Sequence, residues 1–134
     1  TLDCTVLIAE DNDVNREILV TMLKTAGCRV LQAHNGLEAV HISATEGHDI
    51  VLMDVQMPEM DGLQTSEYIR HKLGMKDLPV LALTAGVMAA DHQLALDAGM
   101  NEVLTKPLQI DKVLEAVKRW GFQVSKYSID TDKI

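Results

Sequence analysis

The sequence predicts a doubly wound α/β domain, with a five-stranded parallel sheet and five helices covering its two faces. Three observations predict it. Short apolar runs alternate with amphipathic stretches of helical period. The runs are continuously apolar, whereas an antiparallel sheet with one wet face would show alternate polar positions. The length of 134 residues suits one core between packed layers.

Thr5–Ala9 reads as a buried strand, rich in β-formers and bounded by acids. Val14, Ile18, Leu19, Met22, Leu23 and Ala26 then recur at helical spacing, with Asn12 or Asp13 as N-cap and Gly27 as the stop. Arg29–Ala33 is a second strand and Leu37–Thr45 a second helix. Ile50–Asp54 is a third strand, apolar until its last residue, and Gly62–Lys72 a helix. Pro79–Leu83 is the fourth strand, Ala89–Ala98 a helix closed by Gly99, and Glu102–Leu104 a short fifth strand. The last helix carries Ile110, Val113, Leu114, Val117 and Trp120 on one face, and Gly121 is its expected end. Residues 123–134 lose the periodicity, so the domain is placed at 1–121 and residues 122–134 are read as a tail or linker.

A content of 47% hydrophobic and 24% charged residues excludes a disordered chain. The formal charge of −8 disfavours nucleic acid and suits a cation-binding pocket, though most carboxylates on such a chain form a solvated surface. The sequence has no apolar run of bilayer length, and Thr1–Thr5 lack the layout of a signal peptide. An opening on Thr1 rather than methionine points to a piece of a longer protein, whose remainder can hold membrane segments. Cys4 and Cys28 have no C-x-x-C spacing and read as small, reduced core residues of a cytosolic protein.

In open parallel α/β sheets, ligands bind beyond the carboxyl ends of the strands, where the strand order reverses. Strand one ends in Glu10-Asp11, strand three in Asp54 and strand four in Thr84; strand five runs into Thr105-Lys106-Pro107. Three carboxylates, a hydroxyl and an ammonium therefore converge on one edge. Carboxylates so placed repel one another, so at least one has a raised pKa or all share a cation. An oxygen-only ligand set favours Mg²⁺, which keeps several waters and commonly co-binds phosphate. Asp54 would then be a carboxylate nucleophile toward phosphorus, with Lys106 and Thr84 holding the phosphoryl oxygens. Singly, each residue has a duller reading as a helix cap, a surface lysine or a strand end. Together on one rim those readings lose force.

These residues carry a resemblance. The run Val6–Asp13 with Val14-Asn15, the run Met53–Gly62, Leu81–Ala85, Ala98–Met100 and Leu104–Leu108 resemble a receiver domain of two-component signalling over about residues 5–120. The wording Glu10-Asp11-Asn12 is most similar to receivers of hybrid sensor histidine kinases. The resemblance implies the flavodoxin-like fold and a cytoplasmic phosphoacceptor. Asp54 would be phosphorylated, with Asp11 a direct Mg²⁺ ligand, Glu10 acting through water and the Gln56 backbone carbonyl completing the set. Thr84 and Lys106 would contact the phosphoryl group, and Lys106-Pro107 would be cis. The phosphodonor would be a histidine kinase or histidine phosphotransfer domain.

One departure stands out. Val103 occupies the place where the family usually has an aromatic switch residue, and a valine has no ring to swing. Ala85 leaves room for the phosphodonor, and Gly86 is expected to leave one side of the phosphoryl group open, so that its lifetime depends mainly on Gln56. Leu94, with Val87 and Val103, is expected to form an apolar patch for a dimer or output partner on the side of helix four, strand five and helix five. His34, His41, His48, His71 and His92 share no metal register.

Two rival enzymes or carriers fit less well. An aspartate-nucleophile phosphatase needs a second aspartate two residues on, where Gln56 stands. A flavin carrier needs a phosphate loop where Glu10-Asp11-Asn12-Asp13 would repel phosphate. A receiver-like binding module that is no longer phosphorylated draws its support from Val103.

Overall fold

The computed structural model describes the backbone of residues 2–132 and the side chains of residues 2–121. Strands β1 (Thr5–Ala9), β2 (Arg29–Ala33), β3 (Ile50–Asp54), β4 (Val80–Thr84) and β5 (Glu102–Thr105) alternate with helices α1 (Asp13–Thr25), α2 (Gly36–Thr45), α3 (Gly62–His71), α4 (Ala89–Asp97) and α5 (Ile110–Asp132). The strands form one parallel sheet in the order β2-β1-β3-β4-β5. The order reverses between β1 and β3, so the crevice expected from the sequence opens above those two strands.

Strand alternation divides the apolar residues between two cores. Val6, Ile8, Ile50, Leu52, Leu81 and Leu83 pack with Leu19 and Leu23 of α1 and Val113 and Val117 of α5. Leu7, Val51, Met53, Val80 and Ala82 pack on the other face with Ala39, Ile69 and Ala95 from α2, α3 and α4. All of β3 and β4 is buried, as continuous apolarity requires, and each large apolar side chain so placed contributes about 1.5–3 kcal/mol.

Local signals set the helix ends. The Asn12 side chain accepts from the Asn15 N–H at the start of α1, while Gly27, at φ 101°, turns the chain out of it. Asp61 and Gln64 form a reciprocal capping box at α3.

Three readings need correction. Helix α5 continues past Gly121 to Asp132, because a single glycine costs a helix only about 1 kcal/mol. A Cβ at Gly121 would stand 3.4 Å from Cys4 Sγ, so that glycine packs on the core rather than capping the helix. The expected tail therefore begins as helix, and its last residues, 133–134, lie outside the described residues. The apolar faces read for the first and last helices are also narrower than predicted. Val14, Ile18 and Ile110 are exposed, and Ile18 and Ile110 border the groove between α1 and α5 instead of facing the sheet.

Candidate active site

The register that pairs Ala9 with Met53 carries the next residues, Glu10 and Asp54, abreast at the carboxyl end of the sheet. Both are buried, at 1% and 3% exposure, although they are carboxylates. Asp11 follows on the rim and is exposed. Oxygens of Glu10, Asp11 and Asp54 come within 4.8 Å of one another, and among the described residues this is the acid or metal-ligating cluster so arranged.

Lys106 closes the cluster from beyond β5. Its Nζ donates to Asp54 Oδ2 at 3.1 Å and to Glu10 Oε1 at 3.5 Å. The Lys106–Pro107 peptide is cis. The backbone N–H of Gln56 donates to Asp54 Oδ1 at 3.1 Å, and that of Asn12 to Glu10 Oε2 at 3.2 Å. Thr84, also buried, accepts at its hydroxyl from the Gly86 N–H at 2.9 Å.

The electrostatics follow from this crowding. Burial, with the adjoining Asp54 acid group, pushes the Glu10 carboxyl from 4.5 up to about 7, and the Asn12 N–H and Lys106 offset this only in part. For Lys106, burial opposes the charge, yet Asp54 and Glu10 outweigh it and raise the pKa of the ammonium. One ammonium against three carboxylates leaves a net negative, oxygen-only pocket, which fits a hard divalent cation.

The loop after β3 shapes the site from below. Glu59 takes a left-handed conformation at φ 68°, and the Gly62 N–H returns to the Val55 carbonyl at 2.8 Å. A Cβ at Gly62 would overlap the Asp54 carbonyl oxygen, so only glycine allows α3 to start against the end of β3.

All the predicted site residues on the strand ends thus meet: Glu10, Asp11, Asp54, Thr84 and Lys106. The outer residues fare differently. Ala85 is exposed beside Thr84. Beside Gly86, the Asp91 carboxyl lies 2.8 Å from where a Cβ would be. Val87 and Leu94 are exposed, but Val103 packs inward against the α2, α3 and α4 core. Met88 is exposed as well, so the exposed apolar residues of this region are Val87, Met88 and Leu94 without the strand residue.

Two features escaped the sequence reading. An open groove of about 670 Å³ between α1 and α5, lined by Ile18, Met22, Ile110 and Leu114, flanks the site. Helical periodicity counts Ile18 and Ile110 as core, and only the placement of α5 shows that they border water. Cys4 and Cys28, both free and buried, sit with their sulfurs 3.9 Å apart, a proximity that needs β1 and β2 to be paired.

Residues 6–118 match the response regulator receiver domain family. The chain is 40% identical over 118 residues to the sensor histidine kinase GacS of Pseudomonas protegens, covering 86% of this chain and 13% of that protein. It therefore spans a small part of that relative's length. The receiver domain of the Pseudomonas aeruginosa sensor histidine kinase PA1611, solved with a magnesium ion in its active-site cleft, superposes with a TM-score of 0.82 at 32% identity, over 90% of this chain and 98% of that one. The Saccharomyces cerevisiae Ssk1 receiver domain, co-crystallised with the histidine phosphotransfer protein Ypd1, gives a TM-score of 0.84 at 31% identity, over 90% of this chain and 91% of that one.

Proposed function

The chain belongs to the response regulator receiver domain family of two-component phosphorelay signalling, and on that premise we propose that Asp54 is its phosphoacceptor and that Mg²⁺ binds beside it. The observation that carries the reading is the buried Asp54 carboxylate joined to Lys106 and set within 4.8 Å of Glu10 and Asp11 oxygens. Asp11 and Asp54 would hold the cation directly, with Glu10 acting through water and the Gln56 carbonyl as a further ligand. When bound, Mg²⁺ supplies positive charge for the phosphoryl oxygens and relieves the repulsion among the acids.

The residues divide the remaining work. An Asp54 oxygen attacks phosphorus in line with the donor's phosphohistidine nitrogen, forming an O–P bond as the N–P bond breaks. Lys106 then transfers its hydrogen bond from the carboxylate to a phosphoryl oxygen. Thr84 is placed to exchange its Gly86 partner for another. Gln56, rather than Gly86, stands as the side chain that can shield the product from water, with Asp91 crowding the Gly86 side.

A histidine kinase or histidine phosphotransfer domain is the proposed donor. Exposed Ile18 lines a cleft with Glu10 and Lys106 and, with the exposed Ile110 of the adjoining groove, suits its docking. A donor of that kind supports a cytoplasmic location, whatever anchor a longer protein carries. The Val87, Met88 and Leu94 patch is the candidate output or dimer surface, and residues 122–134 the candidate linker. With Val103 packed inward, output from Thr84 runs through loop movement.

The test is direct. Incubation with Mg²⁺ and a small phosphodonor should give a hydroxylamine-labile phosphoryl mass gain that is lost in Asp54→Asn. No gain, or a gain that survives the substitution, would overturn the assignment and favour a non-phosphorylated binding module.

A further inference from the structure

We propose that Arg16 is a positioning residue for the metal-binding corner, holding the Glu10–Asp11 main chain in the geometry that cation binding needs. The inference rests on the reading of Glu10 and Asp11 as metal-site residues. Arg16 lies in the first turns of α1 but is only 7% exposed, an uncommon state for an arginine. Its Nη1 donates to the Glu10 carbonyl oxygen at 2.9 Å, and its Nη2 to the Asp13 carboxylate.

These two bonds do separate things. The Glu10 N–H is already held by the Ala33 carbonyl at 3.1 Å. Arg16 fixes the opposite side of the same residue, so the peptide leading into Asp11 is held from both sides. The second bond draws the Asp13 carboxylate onto the guanidinium. A fourth acid two residues from Asp11 is thereby paired with a cation. Only a planar fork reaches both acceptors at once, and lysine, a single point charge, does not.

Charge and geometry predict opposite results. A guanidinium beside a cation site repels the cation, so if its charge dominated, removing it would tighten binding. If the clamp dominates, removal loosens binding, and Arg16→Lys loosens it too although the charge stays. Outer-shell partners of metal ligands are worth about 10–100-fold in affinity, and the charge of Arg16 is already paired with Asp13.

The experiment is a Mg²⁺ titration followed by backbone amide shifts in the whole chain, on wild type, Arg16→Lys, Arg16→Met and Arg70→Met. Arg70 is the control. It is equally buried, at 8%, and bonds the Gly99 and Met75 carbonyls and Asn101 far from the acids. Both Arg16 variants should weaken Mg²⁺ binding about tenfold, while Arg70→Met lowers stability and leaves affinity unchanged. If Arg16→Met does not fold, Arg16→Lys decides alone. Wild-type affinity in Arg16→Lys, tighter binding in Arg16→Met, or an equal loss in Arg70→Met would overturn the role of Arg16. Absence of Mg²⁺ binding in the wild type would overturn the metal site itself and the inference with it.

Discussion

Replacing Glu10 by glutamine should stabilise the metal-free protein while weakening its response to Mg²⁺. Glu10 is 1% exposed, and its carboxyl is raised from 4.5 to about 7, chiefly by burial and then by the neighbouring Asp54. A carboxyl raised on folding contributes stability that is complete below its unfolded pKa, near 4.5, and lost as pH rises through about 7. At about 1.4 kcal/mol for each tenfold in the proton equilibrium, the charged residue costs the fold roughly 3 kcal/mol above pH 7. Glutamine keeps the shape and removes the charge, and Lys106 keeps its closer partner, Asp54, at 3.1 Å. Urea denaturation in a chelator at pH 8 should therefore show the variant about 1–3 kcal/mol more stable, with the difference vanishing toward pH 4. Mg²⁺ at a hundredfold over its dissociation constant should add about 2.7 kcal/mol to the wild type and less to the variant, closing the gap. A variant less stable than wild type at pH 8 without metal would refute the claim that burial and Asp54 disfavour a charged Glu10 there.

Three other outcomes are expected. Gly62→Ala should cost about 1–3 kcal/mol by overpacking against the Asp54 carbonyl and slow phosphorylation with it, and a stability and rate equal to wild type would contradict that contact. Ile18→Glu should slow transfer from a histidine phosphotransfer domain while leaving phosphorylation by a small donor intact; equal losses in both assays would argue against docking at the groove. Burial, with the adjoining Cys28, pushes the Cys4 thiol up to about 12, and burial raises Cys28 as well. Alkylation of both should be negligible in the native protein at pH 8 and rapid in urea, whereas rapid native labelling would mean the strand pair opens readily. The same shift makes the Cys4 thiol contribute stability that is complete below its ordinary value of 9.0 and lost as pH rises toward 12.

Much of this protein is legible without a structure, for two reasons. A strand buried on both faces must be apolar throughout, so Ile50–Asp54 declares both itself and the charged residue that ends it. Parallel topology then obliges the ends of β1, β3, β4 and β5 to share one edge, which assembles Glu10, Asp11, Asp54, Thr84 and Lys106 from their order alone. The sequence by itself therefore determined the sheet and the edge on which the acids meet. What it left open depends on distances between helices and on side-chain direction. Helical period could not tell that Ile18 and Ile110 border water, because that follows from how α5 lies beside α1. Nor could it turn Val103 inward, set Asp91 beside Gly86, or carry α5 past Gly121. Arg16 is the clearest case. As one charged residue in a surface helix it is unremarkable, and only the close approach of α1 to the end of β1 makes its guanidinium a brace for the acids.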